Sequence, residues 1–216
     1  MKRVLLIAAS LVLVFAFAAM AQDAAPAGKM YYGLKAGLGM ANASGDSVEA
    51  PAGWDKKARM GFAGGGVIGF DLSPTFKAQI EALYMMKGVK YENGDITESI
   101  KNDYLEFPVT LHFIPAMNGN VKPRFFAGPY LGLLLSSKYK QEGYADDSSN
   151  YEIDIKDQMK STEFGATFGA GVDINALTFD LRYDLGLSKI MKETTDGQSD
   201  AKSTGIYAMI GWRLGM

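Results

Sequence analysis

The chain has 216 residues, a formal net charge of −2 and 48% hydrophobic residues, and it contains no cysteine. Without cysteine it has no disulfide, no zinc-thiolate site and no cysteine nucleophile. The length suits one domain with a real core or one closed barrel, and nothing in the composition suggests a second domain.

The N-terminus predicts secretion. Lys2 and Arg3 precede an apolar run over 4–19, which ends at the small residues Ala19 and Ala21. This pattern is typical of a signal peptide, here residues 1–21, cut before Gln22. A transmembrane anchor fits less well, because the run is shorter than the ~20 residues that a spanning helix needs. We therefore expect a single mature domain over 22–216.

The mature chain alternates between apolar and polar residues in eight segments. In LTFDLRYDLGLS, residues 177–188, every odd position is apolar and every even position is polar or glycine. Such alternation is typical of β-strands, in which successive side chains point to opposite faces. The predicted strands cover 31–41, 59–71, 75–90, 101–114, 122–138, 161–174, 177–190 and 203–216.

The connections between these strands alternate in length. Short turns are predicted at 72–74, 115–121 and 175–176, and long polar loops at 42–58, 91–100, 139–160 and 191–202. In an up-and-down meander, all the long loops then lie at one end of the sheet. Short turns at one end and long loops at the other are typical of outer-membrane barrels, whose short turns are periplasmic.

Two barrels could carry this pattern, a soluble one with apolar residues inside and a membrane one with apolar residues outside. The interior of an eight-stranded barrel has room for little more than side chains. The many Phe, Leu, Tyr and Trp residues would overfill it, whereas the Gly, Ser, Thr and charged set would fit. The sequence therefore predicts an all-β, eight-stranded antiparallel transmembrane barrel with an apolar outer surface.

The polar faces of these strands carry charges of both signs in near balance. They could line a pore or form a plug of ion pairs. We favour the plug, because charges withdrawn from water are costly unless they are paired. The predicted lumenal network consists of Lys35, Glu81, Glu106, Arg124, Asp180, Arg182, Asp184 and Arg213.

Several blocks along the chain carry a family resemblance. QIEALYMMKG, YLEFPVTLHF, FFAGPYLGLLL, FGATFGAGVD, LTFDLRYDLGLSKI and IYAMIGWRL occur in this order. Together they resemble the PorT-like outer-membrane β-barrel family of Bacteroidota-type bacteria. The resemblance implies an eight-stranded barrel, inserted by the outer-membrane assembly machinery, with no known reaction. The C-terminus departs from such barrels, which commonly end in an aromatic residue, because this chain ends in Met216.

Two motifs suggest chemistry that their context does not support. Gly64, Gly66 and Gly69 match the dinucleotide fingerprint, but that motif requires a helix opening at its third glycine, and a strand end follows here. His112, the single histidine, lies near the short-turn end without a clear serine and acid beside it, and such partners are needed to activate a hydroxyl. We expect neither an enzyme nor a cofactor or metal.

The four long loops together carry a net charge of about −8. This charge argues against nucleic-acid binding, which needs Lys and Arg. The longest loop mixes acidic residues with Tyr139, Tyr144 and Tyr151, and YEIDIK predicts an extension of the sixth strand as a hairpin arm beyond the bilayer. We expect a structural or surface-interaction role, with outer-membrane lipids and a surface protein or glycan as partners. A small passive channel and a lipid-modifying enzyme remain alternatives.

Overall fold

The computed structural model describes residues 29–45, 48–144, 149–192 and 200–214. The described chain consists of nine antiparallel strands. They are β1 (Met30–Ser44), β2 (Asp55–Asp71), β3 (Phe76–Asn93), β4 (Ile96–Phe113), β5 (Val121–Glu142), β6 (Tyr151–Asp154), β7 (Thr162–Ile174), β8 (Leu177–Gly186) and β9 (Lys202–Arg213). A short 3₁₀ turn, Lys156–Gln158, lies between β6 and β7. The predicted signal peptide lies outside the described residues and stays a prediction.

Eight of these strands form a closed barrel. Consecutive long strands pair with one another, β5 pairs with β7, and β9 returns to pair with β1 along twelve residues. A closed ring leaves no long unpaired edge, which is the condition for a sheet in a membrane. The all-β, eight-stranded antiparallel barrel predicted from the alternation is confirmed.

The two ends of the barrel differ in the length of their connections, as the sequence predicts, except at one predicted loop. At the short-turn end, connections run over 72–75, 114–120 and 175–176. At the other end, called the loop end below, the predicted loop 91–100 is wrong. The residues belong to β3 and β4, which continue to a two-residue turn at Gly94 and Asp95, with Gly94 at φ 58. Polar composition did not distinguish a loop from a hairpin that projects into water.

The predicted hairpin arm exists, but as a separate strand. β6 pairs with the end of β5, from Lys138↔Asp154 to Gln141↔Tyr151. β7 takes the same edge of β5 lower down, from Leu133 to Val121. The chain between them turns inward, so that Ile155 and Met159 are buried.

The outer surface carries a continuous apolar band. Large side chains from every long strand of the ring are exposed there, including Leu38 at 62%, Leu181 at 59% and Trp212 at 59%. Phe76 and Phe113 are in ring contact at the short-turn end, with centroids 5.4 Å apart. Polar neighbours in sequence point the other way: Arg182 is 2% exposed. The outer face therefore suits a hydrocarbon environment. No helix among the described residues is long and apolar enough to cross a membrane.

Candidate functional site: the lumen and its two ends

The lumen receives the polar face of every strand in the ring. All eight residues of the predicted lumenal network are buried there, with at most 8% of each exposed. Alternation explains this placement, since a residue that neighbours an outward apolar side chain must point inward. The structure brings all eight into one connected set of ion pairs.

The lower half of this set begins at the short-turn end. Arg213 pairs with Asp173, and Arg124 Nε lies 3.5 Å from the other oxygen of the same carboxylate. Arg124 also pairs with Asp180, whose second oxygen lies 2.8 Å from Lys35 Nζ. Cations and carboxylates thus alternate along the barrel axis, and each shared carboxylate joins two cations.

The upper half continues the alternation toward the loop end. Lys35 Nζ lies 2.9 Å from Glu81, and Arg182 Nη1 lies 2.8 Å from the other oxygen of Glu81. Arg182 also contacts Asp184 at 2.7 Å and Glu106 at 3.6 Å. Because Arg182 touches three carboxylates, its removal would leave several buried charges with fewer partners.

Three members of the network were not selected from the sequence. Lys87 pairs with Glu106 and lies 3.0 Å from Glu163, while Asp173 joins Arg124 to Arg213. All three fall on polar positions of the alternation, so the sequence did indicate that they point into the lumen. Their partners could not be named, because pairing across a barrel depends on strand stagger.

Aromatic side chains fill much of the remaining lumen. A Cβ added at Gly165 would lie 2.3 Å from the ring of Tyr130, and one at Gly39 would lie 2.3 Å from the ring of Tyr207. Each glycine therefore leaves space for the ring of its cross-strand partner to lie flat against the wall of the barrel. Tyr130 also donates a hydrogen bond to Glu163, as does Ser203. Together with the ion pairs, these rings occupy much of the narrow interior.

An apolar cluster closes the loop end above the ion pairs. Val48, Met159 and Ile190, from three different connections, pack with Val89 of β3 and are each at most 4% exposed. The space among them is a cavity of about 10 Å³, which is near the minimum for one water. Backbone bonds hold this cap, with Lys160 N–H donating to Ile190 O and Lys192 N–H to Gln158 O.

The two motifs that suggested chemistry lie inside β2 and β4. Gly64, Gly66 and Gly69 are all inside β2, with no helix at the third glycine. His112 is fully buried, stacks on Phe126 at 5.1 Å, and has Nε2 2.8 Å from the hydroxyl of Thr110. This His–Thr contact was not expected. The His112 side chain is enclosed by these neighbours. Among the described residues, no group of acidic and histidine side chains could hold a metal ion.

The loop end also presents a projecting sheet. β5 continues nine residues past Leu133, where its pairing with β7 ends, and β3 and β4 rise with it. On the arm, Glu152 accepts from Lys101 and Lys138, both at 2.8 Å. The hydrogen bond from Lys101, and after it the one from Lys138, lowers the pKa of Glu152 from 4.5 to about 2. The arm is thus tied to the wall by ion pairs, and Tyr151 and Ile153 stay exposed.

A closed eight-stranded ring with an apolar outside and a packed ionic lumen defines the class of outer-membrane β-barrels. The comparison with known families agrees, since residues 20–192 match the outer membrane protein beta-barrel domain. The chain belongs to this family. None of the curated proteins matches the chain.

Several solved outer-membrane proteins match the chain at low sequence identity. Ail of Yersinia pestis, solved with the heparin analogue sucrose octasulfate, is 14% identical with a TM-score of 0.41, covering 86% of this chain and 99% of Ail. Neisserial surface protein A is 13% identical with a TM-score of 0.43, covering 84% and 96%. OprG of Pseudomonas aeruginosa is 11% identical with a TM-score of 0.46, covering 90% and 99%.

Proposed function

We propose that this protein is a non-enzymatic outer-membrane barrel that acts in contact at the cell surface, through the projecting sheet and arm of its loop end. We further infer that it is a PorT-like member of the family, supported by the sequence blocks quoted above. The loop end faces outward in this proposal, because short turns of such barrels are periplasmic.

The observation that carries the proposal is the contrast between lumen and rim. The lumen is filled by the ion-pair network and capped by Val48, Met159 and Ile190. A pore requires a path for water, so this filling favours contact over conduction. The rim instead extends β3, β4 and β5 beyond the apolar band and adds β6. Folding alone gives little reason for such an extension.

The arm supplies the chemistry expected of a contact surface. Tyr151 is 42% exposed and Ile153 48% exposed on a strand whose four residues are all exposed. Aromatic and aliphatic side chains with a charged surround are frequent at contact sites. A protein or glycan partner fits this surface better than a nucleic acid, because the arm and loops are rich in acidic residues.

The test uses a trimmed arm that keeps the wall contacts. Gln141 and Tyr151 are cross-strand partners, so replacing 142–150 by Asn-Gly closes a two-residue turn with the favoured twist. A second variant, Tyr151→Ser with Ile153→Ser, changes only the exposed face. Cells producing each protein are compared for adhesion to immobilised protein matrix and to glycan, with the His112→Ala variant as a control for the enzyme alternative.

We expect all variants to assemble and to keep heat-modifiable migration on gels. Adhesion should fall to the background of cells lacking the protein in the Tyr151→Ser/Ile153→Ser variant. It should persist in the trimmed variant, which keeps both side chains, and in His112→Ala. Equal adhesion in wild type and in Tyr151→Ser/Ile153→Ser would refute the contact role of the arm. Discrete conductance of the wild type in a planar bilayer would favour the channel instead.

A further inference from the structure

The short-turn end of the lumen opens into a cavity of about 660 Å³. Its walls combine apolar side chains from the turns, among them Ile114 and Met117, with charged side chains. The charged side chains are the cations Lys77, Lys122 and Arg213 and the carboxylates Asp71 and Asp173, so the cations are in excess by one. Ligand sites of this size commonly pair apolar walls with a few polar groups that fix orientation.

The charges at this end are arranged to favour an anion. The ion-pair network begins here with Arg213, and Arg124 lies just above it, both around Asp173. Toward the loop end the sign reverses, because Lys87 and Arg182 face the larger set Glu81, Glu106, Glu163 and Asp184. Fixed charges separated in this way produce a potential that attracts anions to the short-turn opening.

Spare hydrogen-bond donors provide an independent observation. Arg213, 8% exposed, uses Nη2 on Asp173, and its Nε has no partner among the described residues. Arg124, 1% exposed, likewise leaves Nη1 without an acceptor. A buried guanidinium N–H without an acceptor is costly, and carboxylate or phosphate oxygens satisfy it well.

The ring of Tyr31 is in contact with two of the cations that line the opening. Arg213 lies 5.0 Å and Lys77 5.3 Å from the centroid of its ring. Tyr31 is itself fixed by a hydrogen bond of 3.0 Å to Gln79. Lys122, at the mouth, is exposed and makes no salt bridge with another described residue. Lys77 is also paired with Asp71 at 2.9 Å, and Arg213 with Asp173. Lys122 is therefore the cation at this end whose charge stays unpaired among the described residues.

We propose that this short-turn cavity binds the carboxylate or phosphate group of a small periplasmic solute, with Arg213 and Lys122 as the contacting cations. The solute's apolar part would pack on Ile114 and Met117. The proposal does not depend on the surface-contact role, since it concerns the opposite end of the barrel.

The test is an NMR titration of the ¹⁵N-labelled protein in bilayer nanodiscs. Hexanoate, inorganic phosphate and the neutral analogue hexanamide are the three probes, and the backbone signals over 114–122 are the readout. Either anion should give saturable shifts there while hexanamide does not. Stronger binding of hexanoate indicates an organic carboxylate, and stronger binding of phosphate indicates a phosphate or phosphate ester. Raising the salt concentration should weaken both.

Two variants locate the site. Lys122→Ala should weaken anion binding about two- to fivefold, the effect of one exposed charge. Lys202→Ala, an exposed lysine at the loop end, is its matched control and should have no effect. Arg213→Gln with Asp173→Asn keeps the net charge and a polar pair, and it should weaken binding about tenfold by removing the guanidinium.

Three results would overturn the proposal. They are the absence of saturable shifts with either anion, equal binding of hexanamide and hexanoate, and unchanged anion binding in the heat-modifiable Arg213→Gln/Asp173→Asn variant. The last result would show that any anion binds elsewhere on the protein.

Discussion

A single arginine placed at two depths on the outer face tests the barrel's position in the membrane. Leu181 is 59% exposed in the middle of β8, between Ala170 and Ala208 on the neighbouring strands. Leu187 is 57% exposed just past the end of the same strand. The two leucines match in chemistry and exposure, so they differ chiefly in depth.

The depth difference follows from strand geometry. Six residues at ~3.3 Å each, on a strand tilted by about 40°, separate the two side chains by roughly 15 Å along the membrane normal. The apolar band of such barrels is ~25 Å tall, so a residue 15 Å from its centre lies at the interface. Leu181→Arg should therefore cost about 2–4 kcal/mol, and Leu187→Arg about 0–1 kcal/mol.

The measurement is reversible urea unfolding in liposomes, with the free energy of unfolding obtained by linear extrapolation for both variants. Heat-modifiable migration first shows that each variant has assembled. Equal losses of unfolding free energy at the two positions, or a larger loss at Leu187, would refute the assignment of the odd-numbered residues of β8 to the lipid-facing surface. Recovery of the wild type from the soluble periplasm would refute the membrane assignment altogether.

Three further outcomes test the lumen and the arm. Arg182→Met should cost about 3–5 kcal/mol in the same unfolding assay, because buried carboxylates lose their shared cation; a loss below 1 kcal/mol would contradict the network. Ile190→Ala should cost about 2–5 kcal/mol through a cavity in the loop-end cap, yet planar-bilayer conductance should stay absent because the ion pairs below still fill the lumen. The arm contact made by Glu152 should be fully present above pH 4.5 and be lost as the pH falls through about 2. NMR signals of β6 should follow this change in the wild type and be insensitive to it in Glu152→Gln.

The two-residue period of side-chain direction in a strand explains why so much of the barrel was predictable. A period of two assigns each side chain to one face, and an error of one residue would place charges such as Arg182 in lipid. The narrow interior then decides which face points inward, since eight strands leave space for little more than side chains. The eight strands of the ring and the inward direction of their polar faces followed from these constraints.

The tertiary structure decided what a periodic pattern does not contain. Strand stagger decides which charges meet. Only the closed ring therefore shows that Lys87 pairs with two carboxylates and that Asp173 joins two arginines. The segment 91–100 has the same polarity in a loop as in a projecting hairpin, because both are surrounded by water. Val48, Met159 and Ile190 lie far apart in sequence within polar connections, and only closure of the barrel brings them together as an apolar cap.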